Sequence, residues 1–226
     1  MAGLLTHAWI AHLVLKEFSK KDFISKNENI DDYFFGSVAP DIRYLSDSMR
    51  DVTHRPYGEK SIFEALKVSS FSFAFMAGYE THLVTDDTWS NDNGLLDESI
   101  YEHFNIDANN SIQKYALYLL ADDYFQGEAG SSFALATASN ILRANDTAFL
   151  NGLGFNTNSI STYKFFVAEY LREPGLDHFN VFNLFPSSFE ESALKAIADR
   201  LPSFSYLKEF KKVAVEESVA SLERYL

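Results

Sequence analysis

His82 and Asp86 stand four residues apart in a stretch that carries no proline. On a helix that spacing sets an imidazole and a carboxylate side by side on one face, and the chemistry such a pair invites is coordination of a divalent ion. Zinc accepts imidazole nitrogen and carboxylate oxygen at about 2.0 to 2.2 Å and closes a tetrahedral shell with roughly four ligands. Two more donors would have to come from elsewhere in the chain. Asp41 and His54 are candidates, because both fall on segments expected to be loops, which can fold back over a helix face. The pair alone has a second meaning, a partly buried His hydrogen-bonded to Asp for purely structural reasons, and both meanings stand at this point.

The other chemistry-bearing residues narrow the choice. The chain has no cysteine, which removes disulfides, thiolate nucleophiles and every Cys-ligated zinc site, so a metal must be held by His and carboxylates. No Gly-x-Ser-x-Gly elbow is present, and no covalent hydrolase nucleophile is visible. The run Gly127-Glu128-Ala129-Gly130-Ser131-Ser132 lacks the following Lys and the preceding strand of a phosphate loop, and is read as a turn between helices. No His is directly followed by Asp, which ranks a phosphohydrolase of the His-Asp dyad type last. His12 lies about 140° around an ideal helix from His7, so the two cannot readily share an ion, and His12 is assigned to packing. His178 is assigned a structural role, and Asp122-Asp123, near an expected helix C-terminus, to solvation rather than ligation.

These residues need elements to position them. Apolar spacing predicts a first helix over Thr6–Phe18 with Thr6 as N-cap, and a short helix through Tyr33 and Phe35 that ends at Gly36. Pro40 is then expected to hold the backbone extended, leaving Asp41 on a loop. The polar stretch Asp47–Glu59, with Pro56 and Gly58, is expected to be irregular and to include His54. A central helix is expected from Ser61 to about Trp89, with Phe71, Phe75, Gly78, His82 and Asp86 along one face. Phe71, Phe73 and Phe75 are read as core rather than as a lipid slot. Further helices are expected over Ser111–Phe125, closed by Gly127, and over Ser131–Arg143, Ser161–Arg172, Ser188–Leu201 and from Leu207 to the C-terminus, with a loop at Asn151–Asn158. No segment alternates with period two for long, so the fold class is all-α, one multi-helix domain over residues 1–226.

Composition agrees with a packed domain: 46% of residues are hydrophobic and 15% aromatic. The net charge of −13 argues against nucleic acid, whose phosphates are gripped by clustered Lys and Arg. No apolar run approaches the roughly 18 to 20 residues of a membrane span, and the first apolar stretch lacks a basic lead and a cleavage site. A cytoplasmic protein without stable membrane insertion is expected.

Four segments in order, Thr6-His7-Ala8-Trp9-Ile10-Ala11, Gly36-Ser37-Val38-Ala39-Pro40-Asp41, Thr53-His54 and Gly78-Tyr79-Glu80-Thr81-His82-Leu83-Val84-Thr85-Asp86, resemble the zinc-dependent phospholipase C family of alpha-toxin type enzymes and their short relatives. The resemblance spans roughly the first 110 residues. It implies an all-α domain that holds one to three zinc ions, or another divalent ion, with Asp41, His54, His82 and Asp86 as ligands of a first zinc. His7 then corresponds to a ligand of a neighbouring zinc that shares Asp86, and Asp41 to the general base acting on the attacking water. The implied activity is metal-dependent hydrolysis of a phosphoric ester, with a small phosphate ester or a phospholipid head group as substrate.

Two departures accompany the resemblance. Family enzymes add the amino group and carbonyl of an N-terminal Trp to the zinc held by His7, a ligand not expected here because the sequence reads Met1-Ala2-Gly3. Where the family places a His after the helix and then His-x3-Glu, this chain has Asn91 or Asp92 and then His103 and Asp107, weaker candidates whose alternative is a surface loop. Two competing functions remain: a non-catalytic helical protein with a structural ion, and a metal-free protein-binding module.

Overall fold

The computed structural model describes residues 2–19, 27–45, 50–54, 62–65, 72–90, 111–172 and 205–225. In chain order these form α1 (Leu4–Ser19), α2 (Asn27–Gly36), a 3-10 helix (Ala39–Leu45), α3 (Arg50–His54), α4 (Ile62–Ala65), α5 (Phe73–Ser90), α6 (Ser111–Ala129), α7 (Ser131–Arg143), α8 (Ala148–Gly152), α9 (Thr157–Arg172) and α10 (Ser205–Glu223). No strand occurs among the described residues, and the fold is all-α as expected. None of their helices is long and apolar enough to cross a membrane.

The axis of the molecule is α5. Its side chains from Ala74 to Thr81 are buried on every side, the pattern of a helix surrounded by others. It packs against α1, α2, α4, α10 and the 3-10 helix. The crossing of α2 over α5 is unusually close: a Cβ added to Gly36 would lie 2.1 Å from the Phe75 carbonyl oxygen, and one added to Gly78 would lie 2.0 Å from that of Tyr33. Only glycine fits at either position. Around this crossing one apolar cluster runs from Ala2 to Leu222 and includes Tyr33, Phe35, Phe75, Tyr79, Phe149, Tyr163 and Phe210.

Several boundaries differ from expectation. Helix α1 starts at Leu4, which puts Thr6 inside its first turn instead of at the cap. The acceptor for the free N–H groups of that turn is Asp122 of α6, which takes the amides of Leu5 at 3.0 Å and Thr6 at 2.8 Å and the Thr6 hydroxyl at 2.5 Å. Tyr170 of α9 donates to the same carboxylate. Asp122 is therefore a buried cap for a distant helix and not a solvated residue. Gly3 leaves room for it, since a Cβ there would lie 2.4 Å from the carboxylate.

Pro40 does not extend the chain; it occupies the first turn of the 3-10 helix, where its missing N–H leaves no bond unmade. His54 ends a helical turn and does not lie on an irregular connection. The expected central helix is two helices, α4 and α5, and Ser72 before α5 is not helical. Helix α6 continues through Gly127 to Ala129, and Gly130, with φ of 77°, turns the chain into α7. Helix α9 begins at Thr157, a turn earlier than expected, and α8 occupies the start of the expected loop. Phe75 is core, but Phe73 is exposed. Phe71, Asn91, Asp92, His103, Asp107, His178 and the helix expected at Ser188–Leu201 lie outside the described residues.

Candidate metal centre

His82 and Asp86 lie on the face of α5 that looks toward α1, the 3-10 helix and α3. Those three elements deliver His7, Asp41 and His54 to the same place, and all five side chains are buried. His82 Nε2 is 3.3 Å from His54 Nε2. His54 Nε2 is 3.4 Å from Asp86 Oδ2 and 3.6 Å from Asp41 Oδ1, and His82 Nε2 is 4.0 Å from Asp86 Oδ2. His7 Nε2 lies 3.3 Å from Asp86 Oδ1, and its ring stacks on that of His82 at 3.6 Å. Zinc bonds of about 2.0 to 2.1 Å put tetrahedral ligand atoms about 3.3 to 3.4 Å apart. The observed separations cluster at and slightly above that value. Two sets of ligand atoms each lie within 4.8 Å of one another, His7 with Asp41 and His82, and His54 with His82 and Asp86.

Hydrogen-bond partners set the tautomers. The Ser37 carbonyl, 2.9 Å from His82 Nδ1, can only accept, so Nδ1 carries the proton and Nε2 offers a lone pair to the centre. The Thr53 hydroxyl donates to the Arg50 carbonyl and can take the Nδ1 proton of His54 at 2.9 Å. The Nε2 lone pair of His54 then also points inward. At 3.3 Å the two Nε2 atoms need either a shared proton or a metal ion between them. Both ring nitrogens of His7 and Oδ1 of Asp41 are buried without a hydrogen-bond partner, a state that costs about 1 to 3 kcal/mol for each polar atom. A dication among these donors would answer Asp41 Oδ1 and one of the two His7 nitrogens, since the two point in different directions from the ring.

Electrostatics point the same way. Burial opposes ionisation of Asp41, but the His54 imidazole and the rings of His82 and His7 outweigh it and hold the carboxyl below its ordinary value. For Asp86 burial is likewise overcome, by nearby positive charge and by His54, and its carboxyl is held well below the usual range. Burial and the neighbouring His7 push His82 well below the usual imidazole value, so it is neutral. Burial alone would lower His54, yet the carboxylates of Asp41 and Asp86 push it up. A metal and that proton compete for one lone pair.

Support behind the centre comes from residues the sequence did not single out. The Tyr79 hydroxyl donates to the Thr53 carbonyl, just before His54, and the Tyr163 hydroxyl of α9 donates to the Val38 carbonyl near Asp41. Ser37 meets His82 because Gly36 and Gly78 let α2 and α5 touch. Arg50, four residues before His54 on α3, places Nη2 2.8 Å from Asp86 Oδ2. The spacing of Arg50 to His54 was available in the sequence, but it carries meaning only once residues 50–54 are known to be helical. His12 is apart from the centre as expected, stacked on Trp9 at 5.2 Å and tilted against Phe133 at 4.8 Å.

A model of the family described as zinc dependent phospholipase C matches residues 6–108, the span that carries all five residues of the cluster. No curated protein and no solved structure matches the chain.

Proposed function

Residues 6–108 belong to the zinc-dependent phospholipase C family, and on that premise we propose that the chain, acting as one cytoplasmic domain, is a metal-dependent phosphoric ester hydrolase. The ligands in this proposal are His7, Asp41, His54, His82 and Asp86, and the metal is one to three zinc ions. Bound there, zinc would lower the pKa of a coordinated water toward ~7 and neutralise charge developing on the phosphoryl oxygens. The residues supply the rest. Ser37 and Thr53 engage the Nδ1 atoms of His82 and His54 and so turn both Nε2 atoms toward the centre. Asp41 Oδ1, buried and without a hydrogen-bond partner, is the base that accepts the proton of the attacking water. Asp86 faces His7, His54 and His82 at once and ties the two sets of donors together.

The observation that carries the proposal is the convergence of two inward imidazole nitrogens, 3.3 Å apart, with two buried carboxylates. Its test is elemental analysis of protein purified without added metal, followed by turnover of a chromogenic phosphodiester. At least one equivalent of zinc is expected, and Asp41→Asn should lower kcat by about 10²- to 10⁴-fold. Hydrolysis that persists after both chelation and Asp41→Asn rules the proposal out. A second reading has support in the burial of Asp41, His54, His82 and Asp86, which are enough to close a four-ligand structural shell. In that case the metal is present and no ester is turned over.

A further inference from the structure

Arg50 joins the buried cluster to the surface. Its side chain is 44% exposed, yet Nη2 donates at 2.8 Å to Oδ2 of Asp86, which is 2% exposed. Among the described residues this is the one hydrogen bond of the side chain, so the guanidinium keeps unused donors on the solvent side. Oδ2 is also the oxygen that faces His54 and His82, hence the oxygen a metal would take.

The charges of the site follow from this geometry. Asp41 and Asp86 are the two buried carboxylates of the cluster, and Arg50 lies against one of them. A dication among these donors matches both carboxylates, and the half-exposed guanidinium beside Asp86 is then left as an unmatched positive charge. A guanidinium in that position is suited to an anion with two coplanar oxygens. Its fork of N–H groups takes two oxygens of one phosphate with shorter and stronger bonds than neutral donors make. Asp86 Oδ2 itself marks where an anionic oxygen sits against this fork.

We propose that Arg50 is the phosphate clamp of the site, holding Asp86 when no ion is bound and grasping two non-bridging phosphoryl oxygens of the substrate once Asp86 is engaged. The proposal rests on the phosphate-ester reading above and adds the recognition element that a metal cluster alone does not supply. The same phosphoryl chemistry occurs in water-soluble esters and in lipid head groups.

The test uses the full chain loaded with zinc. Binding of inorganic phosphate is measured by calorimetry for the wild type, Arg50→Gln and Arg50→Lys, and zinc affinity by competition with a chelator. Arg50→Gln should weaken phosphate binding at least tenfold while zinc affinity stays within threefold. Arg50→Lys should be weaker than wild type by about three- to tenfold, because it keeps the charge and loses the fork. Equal phosphate affinity in wild type and either variant overturns the clamp, as does a tenfold loss of zinc affinity in Arg50→Gln, which would mark a residue that merely positions Asp86. Zinc-loaded wild type that fails to bind millimolar phosphate overturns it too. Glycerol 3-phosphate and phosphatidic acid vesicles, titrated against the same proteins, identify the source: the ligand whose binding depends on Arg50 is the one recognised, and dependence on Arg50 for neither counts against the clamp. Phosphate binding that needs Arg50 without any turnover removes the hydrolase and keeps the clamp. Turnover indifferent to Arg50 does the reverse.

Discussion

An imidazole binds metal only if its other nitrogen is told where to keep its proton, and in this chain a backbone carbonyl instructs His82 while the Thr53 hydroxyl instructs His54. Thr53→Val keeps the size of the side chain and removes that instruction. Zinc affinity should fall by about 10- to 100-fold, read by competition with a chromogenic chelator, and a change below threefold would mean the hydroxyl does not orient the ring. His12 allows a separate test away from the centre. Burial and the nearby Lys16 lower it from 6.5 to about 4, so the folded chain resists its protonation. The stabilising effect is complete above about 6.5 and is lost as the pH falls toward 4. His12→Phe, which retains stacking on Trp9, should therefore lose less melting temperature than wild type between pH 7 and pH 4; parallel curves would show that His12 does not contribute. The pair His82 and Asp86 was legible because four residues on a helix is a fixed distance. Arg50 and Asp122 were not, because their partners lie 36 and 116 residues away and leave no local pattern.

Helices were easier to find than their ends. Ser131–Arg143 appeared with the expected bounds, since Gly130 and a continuous apolar period frame it. Gly127 was a weaker signal than it looked: a single glycine costs a helix only about 1 kcal/mol, and α6 ran two residues further. Pro40 correctly marked a boundary, but proline fits a first helical turn as readily as an extended strand, and local rules do not choose between them. What chooses is tertiary: Tyr163 anchors Val38, and Asp41 is turned inward. The crossing of α2 and α5 yields the sharpest prediction at this scale. Gly78→Ala must push the helices apart, costing about 2 to 3 kcal/mol and lowering the melting temperature by roughly 4 to 12 °C. Because Ser37 would move away from His82, zinc affinity should fall with it. A variant as stable as wild type, with zinc binding intact, would show that the helices can separate without consequence for the site.

For the molecule as a whole, metal and fold should be linked. A ligand bound to the native chain alone at a thousand times its dissociation constant stabilises it by about 4 kcal/mol, which for this length is a rise of roughly 8 to 16 °C. Chelation should reverse that shift in a thermal melt, and an unchanged midpoint would argue against a bound native-state ion. The all-α class could be read from the lack of period-two alternation, and the family from four short segments. The half of the chain beyond residue 110 offered no role in the sequence, yet it supplies Asp122 beneath α1, Tyr163 behind Asp41 and Ser221, whose hydroxyl donates to Glu80 of α5 at 2.7 Å. The position of Asp122 also limits how the protein can be shortened. Trimming to residues 6–108, the span that matches the family, discards the carboxylate that seats the helix bearing His7. Asp122 and the Tyr170 that donates to it both lie beyond that span, so the recognisable signature is shorter than the set of residues that holds α1 in place.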